Sequence, residues 1–291
     1  MAKQSKYLHY ILIAPTAVIM LALVYYPIAV TLCYSFMRME LSKPKLIGFI
    51  GLWNYLTLIS DPLIWNAFFN SMIVLAEVIV ITVFLGLAFA FLLNRNTRIK
   101  GVLTAIAIVP WALPPVVNGV IWRWLFHPNF GFVNKILLLA NIIAEPVQWL
   151  TEHYLIISIV SLVVAWRSIP LAAITFLSSL QSIPRQLYEA ADIDGCGLLS
   201  RFFHITLPLL RPSMGIVLTT TSISAINVFD EIVSLSGYSG AVRTLMIETY
   251  LRTFKFLNFG KGSALIYLVM VATAIFGVIY ARRIYNEVEY L

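Results

Sequence analysis

The chain alternates long apolar runs with short polar connectors. A helix crossing a bilayer needs about 20 mostly apolar residues, and six stretches satisfy this: residues 10–36, 65–93, 101–126, 153–180, 212–235 and 263–280. Uninterrupted runs such as Ile79-Val80-Ile81-Thr82-Val83-Phe84-Leu85 lack the period-two alternation of a barrel strand. Hydrocarbon offers no water to backbone groups, so the runs are expected to be helices. The fold class is therefore all-α, a polytopic membrane protein with six transmembrane helices. The first run far exceeds the roughly 7 to 15 apolar residues of a signal-peptide core and no small-residue cleavage site follows it, so it reads as an uncleaved span.

Composition narrows the function classes. Of 291 residues 60% are hydrophobic and 11% charged, with mean hydropathy +0.90, against about 25% charged in a soluble domain. Too few polar residues exist to cover a soluble surface, which excludes a soluble enzyme, a nucleic-acid reader and a disordered tail. The net charge of +7 then reads as topology. Ten basic residues fall on one side (Lys3, Lys6, Arg95, Arg98, Lys100, Arg185, Arg201, Arg211, Arg282 and Arg283) and eight on the other (Arg38, Lys43, Lys45, Lys135, Arg243, Arg252, Lys255 and Lys261). Three of the ten crowd the short 94–100 loop without an acid, so both termini are expected in the cytoplasm. That places a cytoplasmic N-terminus at 1–9, a transmembrane domain at 10–283 and a cytoplasmic tail at 284–291.

Prolines fall at positions 15, 27, 110, 114, 115 and 170. Each removes a backbone donor; ordinary kinks explain most, and a broken helix over 110–115 is the alternative there. Cys33 and Cys196 lie on opposite sides of the expected topology and cannot pair. The four histidines show no metal-ligand spacing, so no metal, cofactor or catalytic residue is expected.

Between spans four and five, residues 181–211 are too polar to insert. Pro184 suits the start of a helix running to Asp194, and Gly195 suits a left-handed cap. A second helix is expected over 198–205, stopping before Pro208. Leu187, Ala190 and Ala191 form a small-residue stripe flanked by Glu189, Asp192 and Asp194. Helices that lie on membranes are usually rich in Lys and Arg, so a protein partner fits this acidic helix better than lipid.

The spacing Glu189-Ala190-Ala191, three residues, Gly195, nine residues, Ile205, one residue, Leu207-Pro208 resembles the cytoplasmic loop signature of bacterial binding-protein-dependent ABC transporter permeases. The flanks Ser182-Ile183-Pro184, Leu187-Tyr188, Ile193-Asp194-Gly195 and Leu209-Leu210-Arg211-Pro212 are similar to the carbohydrate-uptake, maltose-type branch. So are Gly51-Leu52-Trp53-Asn54-Tyr55, Asp61-Pro62, Pro110-Trp111-Ala112-Leu113-Pro114-Pro115 and Val228-Phe229-Asp230. One departure stands after span five, where Ser236-Gly237-Tyr238-Ser239-Gly240 replaces a Gly-Gly-Pro turn. The resemblance implies a coupling helix seated on a cytoplasmic ATPase dimer, with Leu187, Glu189, Ala190, Ala191, Asp194, Gly195 and Pro208 as the contact set. It implies a second homologous permease subunit, an extracytoplasmic solute-binding protein, and a sugar substrate, with phosphorylated polyols carried by near relatives. ATP must be hydrolysed by a partner chain: Gly260-Lys261-Gly262-Ser263 lacks the residues of a phosphate loop.

Intramembrane charges usually face a cavity or a partner. By helical rise, Glu77, Arg167 and Asp230 share one half of the membrane, while Arg123 is read as snorkelling. They form either a structural ion-pair layer or, with Trp166, Asn227 and Phe229, the substrate path. An ion-gradient-driven secondary transporter is the rival; its corresponding helix breaks have no counterpart to 110–115 in the second half of the sequence. No Ser/His or Cys/His constellation supports a membrane-embedded enzyme.

Overall fold

The computed structural model describes residues 8–95, 98, 100–238 and 242–288; Lys3, Lys6, Ser239 and Gly240 lie outside them. Four helical stretches are long and apolar enough to cross a membrane: Tyr10–Ser35, Pro62–Asn94, His153–Ser182 and Phe259–Tyr280. Two further pairs, Gly101–Ala112 with Pro115–Leu125 and Leu198–Leu209 with Arg211–Ile226, are bent by 98° and 67° and give six among the described residues if each pair is counted as one span; the all-α architecture stands. The helices are α1 (Leu8–Met20), α2 (Tyr26–Ser35), α3 (Trp53–Ile59), α4 (Pro62–Asn94), α5 (Lys100–Ala112), α6 (Pro115–Leu125), α7 (Phe132–Leu139) and α8 (His153–Ser182). They continue as α9 (Arg185–Ile193), α10 (Leu198–Arg201), α11 (Leu207–Leu209), α12 (Arg211–Ile226), α13 (Asp230–Ser236), α14 (Leu245–Tyr250) and α15 (Phe259–Val288). A two-stranded hairpin, β1 (Met37–Arg38) and β2 (Gly48–Phe49), follows the first span. The chain divides into two units, residues 1–64 with 248–270 and residues 65–247 with 271–291.

The larger unit is built on α8. Its small and β-branched residues, Val160, Val163, Ala165, Ala172 and Ala173, are buried, and α5 and α12 pack against it. Gly86 of α4 approaches Ala172 so closely that a Cβ there would sit 2.9 Å from the alanine methyl. A cluster of Ala90, Leu93, Ala172, Phe176, Leu180, Ile183, Leu210 and Val217 ties α4, α8 and α12 together, and Tyr188 and Leu209 pack on it.

Three expectations change. Residues 101–126 are not one kinked span but α5 and α6, bent by 98°. The cause is the Pro114-Pro115 pair: a residue before proline is driven out of the helical region, and Pro114 sits at φ −58°, ψ 142°. Pro110 and Pro170, without a proline neighbour, are absorbed inside α5 and α8. Span five is likewise interrupted, α12 ending at Ile226 and α13 starting at Asp230, so the second half does carry a counterpart to the first break. Finally, helix continues past residue 205. A π turn over Phe202–Thr206, closed by Leu207 N–H donating to the Phe202 carbonyl, gives the Pro208 ring room that a regular turn would deny it.

The smaller unit is held by polar contacts at the end of the first span. Asn54 Nδ2 donates to the carbonyls of Ser35 (2.9 Å) and Met37 (2.8 Å), and Tyr55 Oη to Ser35 Oγ (2.8 Å). Arg252 donates to Asp61 Oδ2 at 2.6 Å and to Glu248 Oε1 at 2.9 Å. The phosphate-loop-like fragment has another use here. A Cβ at Gly260 would collide with the Met37 carbonyl, and one at Gly262 with Thr253 Oγ1; these glycines serve close packing.

Gly119 on α6 is equally constrained, since a Cβ would overlap Ser234 Oγ on α13 and lie 3.0 Å from the Glu231 carbonyl. Gly119→Ala should destabilise the detergent-purified chain by about 1–3 kcal/mol, read as a lower thermal midpoint, and Ser234→Gly should recover part of that loss. The Asp61 carboxyl gives a pH prediction. Burial pushes its pKa up, but hydrogen bonds from Arg252 and the Leu63 N–H, with the charges of Arg252 and Lys261, hold it below the usual 3.8. A depressed folded pKa stabilises above the unfolded value and is lost as pH falls through the folded one. Thermal midpoints should therefore drop as pH falls below that range, and Asp61→Asn should flatten the drop.

Candidate functional site

The 181–211 segment folds as a braced helix-turn-helix. Gly195 adopts φ +69°; its N–H donates to Asp192 O (3.1 Å) and the Cys196 N–H to Ala191 O (2.9 Å), the paired bonds of a Schellman cap. Arg201 closes the turn, pairing with Asp192 and donating to the Cys196 carbonyl at 2.8 Å. Tyr188 Oη and Thr206 Oγ1 meet at 3.0 Å.

This bracing sorts the stripe expected on α9. Ala191 is buried and faces its own chain, whereas Leu187, Glu189, Ala190, Asp194 and Gly195 are exposed. Pro208 is half-buried in α11. At about 1.5 Å per residue, α9 is a strut roughly 13 Å long whose open side combines apolar surface with two carboxylates. Its inner side rests through Tyr188 on the core shared by α4, α8 and α12.

Inside the membrane the charges pair differently from their helical heights. Arg167 of α8 faces Glu231 of α13, Nε to Oε1 at 3.4 Å, with the side chains 27% and 5% exposed. That is an ion pair without a well-formed hydrogen bond. Asp230 is exposed in the first turn of α13, where the helix dipole favours an acid. Glu77 accepts a 2.9 Å hydrogen bond from Ser158, nine residues before Arg167 on the same helix and so about 13 Å from its level. Trp166 is exposed, its ring edge-on to Trp122 at 6.0 Å. The Asn227 amide turns back to the Ile223 carbonyl at 2.8 Å, and Phe229 is the half-buried residue before α13.

A cavity of about 60 Å³ opens between α5, α8 and α12, lined by Trp111, Arg167, Ser168, Thr220, Thr221 and Ser224 among others. Of the expected path residues Arg167 alone lines it. Glu231, Thr220, Thr221 and Ser224 did not enter the expected set, although the run Thr219-Thr220-Thr221-Ser222 is an unusually polar stretch within an apolar span. Among the described residues no group of three or more His, Cys, Asp or Glu could hold a metal.

Residues 82–286 match the family described as binding-protein-dependent transport system inner membrane component. The chain is 32% identical to the sulfoquinovosyl glycerol transport system permease protein SmoG of Agrobacterium fabrum, over 94% of this chain and 89% of that one. It is also 32% identical to the trehalose/maltose transport system permease protein MalF of Thermococcus litoralis, over 94% and 92%. Its fold is similar to a chain in the crystal structure of a bacterial ABC transporter that imports the acidic polysaccharide alginate, with TM-score 0.81, 19% identity and 96% of each chain covered.

Removing one member of a buried ion pair leaves the other uncompensated and costs about 3–5 kcal/mol, whereas replacing both by apolar groups is often neutral. Glu231→Ala should therefore lower the thermal midpoint more than the double variant Arg167→Met, Glu231→Met, as read by fluorescence size-exclusion after a heat step.

Proposed function

The chain belongs to the binding-protein-dependent transport system inner membrane component family, and on that premise we propose that it is the permease subunit of an ATP-driven sugar importer. An extracytoplasmic binding protein delivers a di- or oligosaccharide, and an ATPase dimer docks on the 181–211 loop from the cytoplasm, where both termini also lie. The observation that carries this reading is the bracing of the loop. A strut fixed by its Schellman turn, by Arg201 and by Tyr188, and rooted on α8 and α12, moves those helices as a rigid body when a partner pushes it. Leu187, Glu189, Ala190 and Asp194 supply the exposed contact surface.

A second homologous permease completes the path. A cavity of about 60 Å³ has room for roughly two waters, against the 300 Å³ or so of a small-molecule site, so this chain contributes one wall. The hydroxyls of Ser168, Thr220, Thr221 and Ser224 suit sugar hydroxyls, and Trp111 suits the apolar face of a sugar ring. The Arg167 charge is already matched by Glu231, which favours an uncharged sugar over an anion. The relatives named for trehalose/maltose and for sulfoquinovosyl glycerol transport support a sugar as the substrate class, and the trehalose/maltose relative alone is in line with an uncharged one. The interruption at 227–229 removes the symmetry argument against a secondary transporter; family membership and the braced loop favour the importer.

Proline cannot adopt φ +69° and has no N–H for Asp192, so Gly195→Pro dismantles the turn. Gly195→Pro and Glu189→Ala should lower sugar-stimulated ATP hydrolysis of the reconstituted complex by about tenfold or more, equivalent to roughly 1.4 kcal/mol of coupling, while the spans still insert. Co-expression with the neighbouring transporter genes should yield a complex whose ATPase responds to a loaded binding protein. Wild-type transport in both variants would overturn the assignment.

A further inference from the structure

The segment joining the first two spans is amphipathic in reverse. Residues 46–60 contain no Asp, Glu, Lys, Arg or His, although they connect two membrane spans outside the apolar runs. Within α3 the polar residues face the protein. Asn54 is buried and spends both amide hydrogens on the Ser35 and Met37 carbonyls, and Tyr55 spends its hydroxyl hydrogen on Ser35 Oγ. These bonds satisfy carbonyls at the end of the first span and fix the rotation of α3 about its axis.

Most of the apolar residues face outward, Leu58 alone of those in α3 being buried. Phe49 is 78% and Trp53 56% exposed, and Leu52, Leu56, Ile59 and Leu63 are exposed as well. From residue 52 to 59 the spacing of +1, +4 and +7 traces one side of a helix. No charge interrupts that side. An exposed apolar patch of this kind marks an interaction surface.

We propose that α3 and the β2 strand before it lie in the bilayer interface at the end of the first span, presenting Phe49, Trp53 and Leu56 to lipid. Position supports lipid over a protein partner. The first span ends at Ser35 and the second begins at Pro62, so α3 is held at the level of one membrane surface. Leu63, in the first turn after Pro62, is exposed as well. Tryptophan at that level is typical of the membrane–water boundary. Interfacial helices ordinarily carry a charged face toward water; α3 needs none, because its polar face is consumed by the end of the first span. In effect Asn54 and Tyr55 act as positioning residues for a membrane anchor. The inference needs only that the chain spans a membrane, so it survives or fails independently of the substrate and the coupling loop.

The test is spin-label accessibility on the full chain in lipid nanodiscs, in a Cys33→Ser, Cys196→Ser background. Labels go on Trp53→Cys and Leu56→Cys, with Lys43→Cys as the aqueous control and Leu52→Cys in reserve should either variant fold poorly. Power saturation compares collisions with oxygen, which concentrates in lipid, and with a nickel chelate, which stays in water. Labels at 53 and 56 should favour oxygen, shifting the depth parameter positive, while the label at 43 should favour nickel. Nickel collisions at 53 and 56 equal to those at 43 would overturn the proposal in favour of a water-facing docking surface. Shielding from both reagents would overturn it in favour of burial under protein.

Discussion

A backbone that leaves the helical path inside or beside hydrocarbon must find hydrogen-bond partners within the protein, and this chain meets that requirement largely with buried asparagines. Asn118 Nδ2, just after the Pro114-Pro115 break, donates to the Val163 carbonyl of α8 at 3.0 Å. Asn70 donates to the Arg243 carbonyl at 3.0 Å, and the neighbouring Ser71 accepts from the Leu245 N–H. Asn134 gathers the Pro128 and Val147 carbonyls, the Val147 N–H and the Trp149 indole. With Asn54 these are four amides, each almost wholly buried; Asn54, Asn70 and Asn134 hold carbonyls at helix ends or in loops, while Asn118 ties α6 to the middle of α8. An apolar side chain at 54, 70 or 134 would leave those helix-end and loop carbonyls without these partners, at about 1–3 kcal/mol apiece.

Helix α8 is the element on which the larger unit is packed. Its buried face is made of residues small enough for α4, α5 and α12 to approach closely, and Pro170 is accommodated without ending the helix. At one end the α9 strut rests on the cluster around Phe176 and Leu180. Farther along, Arg167 reaches Glu231 and the small cavity beside Thr220 and Thr221. One continuous, tightly packed helix thus runs from the α9 contact to Arg167, which is what the proposed coupling requires. Packed interiors shift between discrete arrangements rather than deforming smoothly.

Much of the loop was legible from residue chemistry: Gly195 as a left-handed cap and a helix on each side of it. The helix continuing through Pro208 was not legible, because proline reads locally as a stop and a π turn one step earlier has no sequence marker. The breaks in spans three and five share that difficulty. Pro114-Pro115 announces the first, while nothing in Asn227-Val228-Phe229 announces the second. Among the charges, spacing gave the heights of Glu77 and Arg167 along their own helices, but not that of Asp230, whose helix restarts after the break. Partner choice depends on which faces meet, and Glu231, one residue from Asp230 and about 100° around the helix, is the acid that meets Arg167.

The sequence by itself determined that the chain lives in a membrane, that it is helical and where its long apolar runs, its acidic helix and its glycine turn fall. These follow from hydropathy, spacing and capping, which are local quantities. The tertiary structure alone decided that Ala191 turns inward while Ala190 stays open, that Arg167 is neutralised by Glu231, and that α3 spends its polar face on the first span. Each of these depends on which helix face lies against which neighbour. Helix periodicity lists the residues on a face, but only close packing among α4, α8, α12 and α13 selects the face that is buried.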